Sequence, residues 1–591
     1  MSSWLMKFGF GGVQEFIAQS RKTRDLAAGS LLLQETAKAV AQKAQTMGAE
    51  VILPQEAEVA CPHQLLLRWK DVDRQAIQEK GKSLQDTAKT YWQDAVSTQA
   101  NEALKELEGL KSALIDLVPV IDQLGQAFET YWVAIPEEKD YPAIFHEIQE
   151  CYELRRFTRT FPQEQKLGNP LGTCAQCGAR NAVVNPFKKS FHHPKLDSRD
   201  KICAVCLAKR LWSYESPDLG EAYPSTVHLA RDRFFRLPEY ADRLELLKQH
   251  RAETMDWKEF QAGTKDSLPK VTGAIEAAMK ARDSLPPYYA ALYFDGDHMG
   301  EWFSGKHFTE PQSLEAGQRK LSQALAGFVT TLRAGSKCLR ATVIYLGGDD
   351  GLVLLPVDFL FPFIRLVRDS WLTHVEKAPA ICRIAEGQEE EKRGPTLSLH
   401  ASVVHQSAPF QRVIAGLHPA MKETKEQGNR DAFSVAVAPR SGSEGKALFR
   451  WQDLDSFIRT VEAFTTWRLD DFPPKGIGAV PSDSELKRRR QKTFPSRLPY
   501  ALIEAMEPFF GEGGALSTTA LETAFDLELA RLLGKREEGD KTADPLSRFL
   551  DGIVKGERLG TLVPRERLVS VLTILPSMGR WLDWGSGEVK S

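Results

Sequence analysis

The sequence predicts an α+β protein: two related α+β units, a cysteine-bearing insertion between them, and a helical C-terminal part. Three observations predict it. The strand-like run Tyr288 to Phe294 is followed by a helix-compatible stretch, then by two strand-like runs flanking Gly347-Gly348-Asp349-Asp350-Gly351. A weaker copy of this pattern stands near the N-terminus, where Phe8 to Phe16 can be laid on Phe294 to Trp302. Between the two stand Cys174-Ala175-Gln176-Cys177 and Cys203-Ala204-Val205-Cys206.

In the N-terminal copy the apolar ends and the glutamates Glu15 and Glu301 fall in register, while Asp295 and Asp297 become Gly9 and Gly11. Glu50 to Pro54 and His63 to Trp69 resemble a second hairpin without the acidic residues. A duplicated unit whose first copy has no metal ligands is the expectation, over residues 1–165.

The insertion, expected over residues 166–275 and mostly helical, carries two C-x₂-C pairs separated by 25 residues. Each pair fits a tight turn that aims two thiolates at one ion, and two such turns make a tetrahedral zinc site of Cys174, Cys177, Cys203 and Cys206. Four sulfurs fill the coordination of zinc, so the site is structural. The stretch between the pairs is basic (Lys188, Lys189, His192, His193, Lys195) and is either a nucleic-acid contact or a solvated loop. Cys61, Cys151, Cys338 and Cys382 have no paired spacing and read as small core residues.

The second unit, expected over residues 276–475, carries the acidic motifs. Arg340 to Tyr345 and Leu352 to Val357 are apolar on both sides of a glycine turn, which reads as a β-hairpin. Two adjacent carboxylates at its tip repel each other unless a cation neutralises them. Gly347 and Gly348 tolerate positive φ and let a phosphate or metal come close to backbone. Upstream, the run Tyr288 to Phe294 ends in Asp295-Gly296-Asp297-His298. A carboxylate at a strand end, then a helix, then a carboxylate-bearing hairpin is how palm-type polymerases and cyclases hold two divalent cations. Hard cations such as Mg²⁺ or Mn²⁺ take carboxylate oxygen and keep positions for phosphate. Two ions about 4 Å apart activate a hydroxyl and stabilise leaving pyrophosphate. Leu314, Leu321, Leu325, Phe328 and Leu332 give the connecting helix its spacing. Strands are expected near 288–295, 340–346, 351–357, 396–405 and 432–437, in a ferredoxin-like order, with a helix from Pro409 to Gln427.

Pro473-Pro474-Lys475-Gly476 marks the boundary to a helical part over residues 476–591. Leu498 to Phe510 and Leu521 to Leu533 are its clearest helices. Lys487-Arg488-Arg489-Arg490-Gln491-Lys492 is the densest basic run, a phosphate contact or a solvated linker.

Composition bounds the class. The chain has 591 residues, 42% hydrophobic and 26% charged, with a formal net charge of −2. Nucleic-acid contact must therefore use local basic patches. No run of about 18 apolar residues exists, so no membrane helix is expected. Eight cysteines over this length make no disulfide scaffold, and Met1 to Phe8 lacks a signal-peptide pattern. A cytoplasmic protein is the expectation.

Taken together, the motifs resemble the large subunit of type III CRISPR effector complexes, most closely the Cmr (III-B) version. Gly12 to Ile17 with Ser20 to Leu26 is similar to that family's first palm, the paired cysteines and Tyr223 to Thr226 to its zinc region, and Phe294 to Gly300 with Gly347 to Asp350 to its second palm. Ala401 to His405, Lys422 to Lys425 and Gly428 to Ala432 continue the resemblance. It implies two ferredoxin-like palm domains, a zinc-binding helical insertion and a C-terminal helical domain. It implies a nucleotidyltransferase that makes cyclic oligoadenylate from ATP when the complex binds target RNA. The implied catalytic residues are Asp295, Asp349 and Asp350, and the implied metal ligands add Asp297. Gly296, Gly347, Gly348 and Lys425 would face the nucleotide, Lys425 reaching a triphosphate as a point charge. Partners would be the other III-B subunits, including the small helical subunit, with CRISPR RNA and target RNA. No His-Asp dipeptide occurs, so the HD nuclease of many members is expected to be missing. Alternatives are AMP transfer to another small acceptor, a diguanylate-cyclase-like enzyme, or a catalytically silent RNA-binding scaffold.

Overall fold

The computed structural model describes residues 2–57, 62–106, 123–124, 127, 129–158, 172–183, 201–215, 224–233, 285–308, 313–378, 394–440, 444–472, 481–510, 518–533 and 564–583. The basic stretch with Lys188, Lys189, His192, His193 and Lys195, the cysteines Cys61 and Cys382, residues 234–275 of the insertion expected to be mostly helical, and the boundary motif Pro473 to Gly476 lie outside them.

The first sheet contains β1 (Ser2–Gly11), β2 (Glu50–Leu53), β3 (Gln64–Val72) and β4 (Glu129–Pro136), in the order β2-β3-β1-β4. The second contains β5 (Tyr288–Gly296), β6 (Thr342–Leu346), β7 (Asp350–Pro356), β8 (Leu397–His405), β9 (Ala432–Ala438) and β10 (Gly445–Arg450), in the order β10-β9-β8-β5-β7-β6. Only the β8–β9 pair is parallel among the described pairs. Without β9 and β10, the second order repeats the first position by position.

Helices repeat it too. In the first unit α1 (Val13–Ala18) and α2 (Thr23–Thr46) connect β1 to β2, α3 (Arg74–Glu106) connects β3 to β4, and α4 (Tyr141–Phe157) follows β4. The insertion adds α5 (Ala204–Glu215) and α6 (Thr226–Ala230). In the second unit α7 (Met299–Phe303) and α8 (Leu314–Cys338) connect β5 to β6, α9 (Leu360–Trp371) connects β7 to β8, and α10 (Phe410–Gly428) follows β8. Then come α11 (Leu454–Phe464), α12 (Asp483–Arg490), α13 (Leu498–Met506), α14 (Thr518–Leu533) and α15 (Pro564–Leu582).

Local chemistry explains the key elements. Tyr289 to Tyr293 and Phe294 are buried along β5, a near-continuous apolar run that fits a strand covered on both faces. Ser313 caps α8 by accepting the Ala316 N–H at 3.3 Å, and Leu321, Leu325, Phe328, Val329 and Leu332 form its buried stripe. Asn429, Arg430 and Asp431, all at positive φ, reverse the chain from α10 into β9. Such a run is strained for non-glycine residues and persists only where its surroundings hold it.

The core under the second sheet runs from Phe294, Phe328 and Trp371 through Phe449 and Phe457 to Leu568, Leu572, Leu575 and Met578 of α15. The final helix therefore completes the core of the sheet, and Trp581 stacks on Tyr288 with ring centroids 4.0 Å apart. Strands β4 and β10 were not foreseen from the sequence. The basic run lies on and after α12. Arg489 is tied to Asp471 at 2.6 Å, while Lys487, Arg488, Arg490 and Lys492 are exposed.

A buried ion pair holds the insertion to the first unit. Arg210 on α5 donates through Nε and Nη2 to Asp25 on α2, at 2.7 to 2.9 Å, with Asp25 fully buried. Gln176 donates to the same carboxylate and accepts from Arg210 at 3.0 Å. Removing one partner of such a pair strands a buried charge, at about 3–5 kcal/mol. Asp25→Ala is expected to destabilise by that amount, read as a lower chemical-denaturation midpoint. A midpoint equal to the wild type would contradict the burial of this pair.

Candidate functional site

Strand β5 is paired on both edges. Its Asp295 stands opposite Asp350 of β7 and Ser398 of β8. The Gly296 N–H donates to the Asp349 carbonyl at 2.9 Å, which ties the strand end to the hairpin. Across the hairpin, Gly347 N–H donates to the Asp350 carbonyl at 2.8 Å, and Gly348 adopts φ 118°, open to glycine. At Gly296 a Cβ would lie 2.7 Å from Met299 Cγ, so close packing selects glycine there. The register thus brings Asp295, Asp349 and Asp350 to one end of the sheet.

Their charges are in tension. Recess from water pushes the Asp350 carboxyl up, and the neighbouring Asp349 and Asp295 charges push it further. Asp349 rises to about 6, by loss of water first and by Asp295 second. Asp295 is raised by burial, partly offset by Lys425. Lys425, on the last turn of α10, forms an ion pair with Asp295, donates to the Gly296 carbonyl at 3.0 Å, and lies 3.3 Å from Asp297 Oδ1.

Asp297 is placed differently from its neighbours. It is buried, and it accepts from Ser398 Oγ at 2.9 Å, Thr396 Oγ1 at 2.9 Å and the Asp431 N–H at 3.0 Å. Its oxygens are committed to the chain itself. The bond to Asp431 also explains the left-handed run at 429–431: the carboxylate holds its last residue. Ser398, Thr396 and Asp431 were missed from the sequence. The signal was Ser398, a hydroxyl in an otherwise apolar strand start.

Two cavities open on the hairpin tip. One of about 890 Å³ is lined by Asp295, Asp349 and Asp350, by Tyr293, Tyr345 and His418, and on the far side by α1 and α2 residues such as Val13, Ser30 and Gln34. The other, of about 570 Å³, lies between the hairpin tip, α7, β3 and α4. Gly347, Asp349, Pro62 and His63 line both. The equivalent place in the first unit is closed. A Cβ at Gly9 would fall on the Tyr152 hydroxyl, and one at Gly11 would lie 2.6 Å from the Tyr131 ring, so aspartate fits neither position.

The four cysteines converge. Cys174, Cys177, Cys203 and Cys206 place their sulfurs within 4.8 Å of one another, and among the described residues no other set of three or more His, Cys, Asp or Glu ligands does so. The aspartates share a strand end but not that convergence. Gly172 and Gly178, at φ 73° and 68°, make the turns of the first pair. The backbone N–H groups of Gln176 and Cys206 point at Cys174 and Cys203 sulfur, each at 3.4 Å. Hydrogen bonds from the other three thiols hold Cys177 far below the usual thiol range, while the same crowd raises Cys206. Cys174 is lowered too, to about 6, and Cys203 is raised, so four thiolates together are unfavourable without a cation. From this knuckle Gln176 reaches Asp25 of α2 through its amide and Gln411 of α10 through its carbonyl, the latter at 2.7 Å.

Comparison with known proteins follows the same layout. Residues 288–434 match the family described as Cas10/Cmr2, second palm domain, and residues 5–108 match CRISPR-associated protein Cmr2, N-terminal. A curated relative, the CRISPR system Cmr subunit Cmr2 of Pyrococcus furiosus, is 22% identical over 418 residues, covering 58% of this chain and 45% of the relative. The chain thus spans about half the length of the curated relative it matches. A type III-B Cmr-beta structure in its apo state superposes with a TM-score of 0.64 at 13% identity, covering 98% of this chain and 82% of that one. Cmr-beta bound to cognate target RNA gives 0.59 at 13% identity, with 98% and 83% covered. With both domains matched in chain order and the Cmr-beta fold shared along nearly its whole length, the chain is similar to the Cas10/Cmr2 large subunits of Cmr (III-B) CRISPR systems, and these matches support a large subunit of that type.

Proposed function

We propose that the chain joins nucleotides in a target-RNA-activated type III-B complex, converting ATP to cyclic oligoadenylate at the carboxylate end of the second sheet. The observation that carries this reading is the β5–β7 register, which puts Asp295 opposite Asp350 and beside Asp349, on the wall of a cavity with room for nucleotide. Three hard oxygen donors that mutually oppose ionisation fit divalent cations. Mg²⁺ or Mn²⁺ held there would supply neutralisation of phosphoryl charge and activation of an attacking 3′-hydroxyl.

The chain's own residues do the rest. Asp295, Asp349 and Asp350 are the metal ligands in this reading. Asp297 is left out of the set, because its oxygens hold Thr396, Ser398 and Asp431. Lys425 balances Asp295 and turns to a phosphate when that carboxylate has a cation partner. Gly347 and Gly348 keep the hairpin tip free of side chains where a triphosphate must pass. Repeated strand order and the blocked positions at Gly9 and Gly11 support a duplicated palm whose first copy binds no metal.

The cysteine cluster is proposed as a structural zinc site that fixes α2 and α10, both of which line the larger cavity. Partners are proposed to be the other III-B subunits, CRISPR RNA and target RNA, with the exposed cations Lys487, Arg488, Arg490 and Lys492 as a phosphate contact. No helix among the described residues is long and apolar enough to cross a membrane.

Mass spectrometry of products from the assembled complex with ATP, Mg²⁺ or Mn²⁺ and target RNA tests the reaction. Asp349→Ala combined with Asp350→Ala is expected to lower product formation by about a hundredfold or more while RNA binding persists. Product near the wild-type level in that variant would sink the assignment. Asp297→Asn should act through folding, lowering the melting temperature, because it weakens a buried acceptor of three hydrogen bonds.

Elemental analysis of the purified chain should give one zinc per molecule. Cys206→Ser should lower zinc content and the melting temperature together, since structural zinc contributes on the order of 10 kcal/mol to small domains. Folded protein that contains no zinc would overturn the site.

A further inference from the structure

Strand β8 faces two ways. Leu397, Leu399, Ala401 and Val403 belong to the apolar core under the second sheet. The alternate positions, Ser398, His400 and Ser402, turn to the face that α10 covers. Ser398 and His400 are fully buried, and Ser402 is half-buried. The stripe that α10 buries is Phe410, Ile414, Leu417 and Met421, and then Thr424. Apolar packing thus gives way to polar packing at the last turn, just before Lys425. A buried polar side chain costs free energy unless it is hydrogen-bonded.

His400 is bonded at both ring nitrogens. It stands opposite Ser434 in the parallel β8–β9 pair, with Nδ1 2.7 Å from Ser434 Oγ and Nε2 2.8 Å from Ser402 Oγ. Ser434 Oγ lies 2.6 Å from Thr424 Oγ1, which lies 2.8 Å from the Ala420 carbonyl. A carbonyl only accepts, so the Thr424 hydroxyl gives its proton to Ala420. Its oxygen then accepts from the Ser434 hydroxyl, and Ser434 accepts from His400 Nδ1–H. Nε2 is left to accept from the Ser402 hydroxyl. This one order satisfies every contact, and it assigns a neutral imidazole with its proton on Nδ1. Burial first and Lys446 second hold the His400 pKa down to about 3, in keeping with that form.

We infer that this chain of hydrogen bonds, from His400 through Ser434 to Thr424, is a positioning device that sets the last turn of α10 and so places the Lys425 amine against Asp295. A second chain reaches the same lysine from the same strand: Ser398 donates to Asp297, whose Oδ1 lies 3.3 Å from Lys425 Nζ. Two alternate residues of β8 thus bear on two neighbouring residues of α10. Directional bonds fix the rotation and axial register of a helix where apolar contact alone tolerates a slide. His400 lies under α10 and acts only through Lys425. Its bearing on catalysis rests on the nucleotide-transfer reading; the placement of the lysine does not.

Amine acylation of the full chain by an N-hydroxysuccinimide ester, read lysine by lysine with peptide mass spectrometry, tests the placement without metal or turnover. In wild type Lys425, at 16% side-chain exposure, should react more slowly than Lys422 on the same helix, at 72%. His400→Leu should raise the Lys425 rate about fivefold, the factor of one net hydrogen bond, while Lys422 and the buried Lys7 and Lys209 keep theirs. His400→Asn, whose amide can donate where Nδ1–H does, should return the wild-type rate. Ser434→Ala cuts the same chain and serves where His400→Leu does not fold. Lys425 as slow in the folded variants as in wild type, or a rise shared by Lys7 and Lys209, overturns the device. In the assembled complex His400→Leu should lower kcat for product formation and add nothing to Lys425→Met; an effect that adds to Lys425→Met overturns the route through the lysine. No product from the wild-type complex overturns the transfer reading, and the acylation rates then decide the device alone.

Discussion

The pairing of β5 on both edges is the constraint from which the rest of the second unit follows. One edge sets Asp295 against Asp350, and the other sets it against Ser398. A slip of one residue on either side would turn the strand's side chains to opposite faces and separate the carboxylates. The buried run from Tyr289 to Phe294 makes such a slip costly, since both faces of the strand are packed. Core packing and site geometry are therefore one specification. The acidic cluster is tolerated because the apolar register leaves it no other place.

Two aspartates separated by one glycine have opposite fates. Asp295 faces a cavity and an adjustable lysine, while Asp297 faces inward and is consumed by Thr396, Ser398 and the Asp431 N–H. Strand alternation would put both on one face, but the strand ends at Gly296, and Asp297 leaves it with its N–H on the Thr396 carbonyl. The inward carboxylate stabilises an unfavourable left-handed turn, and that turn sets where β9 begins after α10. Lys425 is anchored to the Gly296 carbonyl at 3.0 Å, so the buried aspartate and the lysine meet through the same few residues.

Much of this was legible in the sequence. Strands β5 to β9, the long helix between β5 and β6, the helix carrying Lys425 and the four cysteines were written as periodicity and spacing, and the structure has them within a few residues. What was not legible depended on contacts between distant residues. Asp297 has the same local sequence signature as Asp295, and only its distant partners Thr396, Ser398 and Asp431 distinguish them. Lys7 reads as an ordinary polar position in a strand, and its burial comes from α4. Strand β10 and helix α15 have plain apolar patterns whose partner is each other. The C-terminal boundary at Pro473 marks a break in the chain's periodicity, yet α15 returns to the core of the second sheet.

The Asp25–Arg210 pair spans 185 positions. At ribosomal rates of about 5–20 residues per second, roughly ten to forty seconds separate the appearance of its two halves. Through that interval α2 carries a carboxylate on a face that is otherwise ready to bury, and water is its only good partner. The first sheet can assemble early, since α2 packs on it through Ala37, Val40, Ala41 and Ala44, but the pairing of Asp25 waits for α5 to deliver the guanidinium. The α2 side of the larger hairpin cavity thus gains its buried ion pair only once the insertion is made, so the order of synthesis bears on how the site is built.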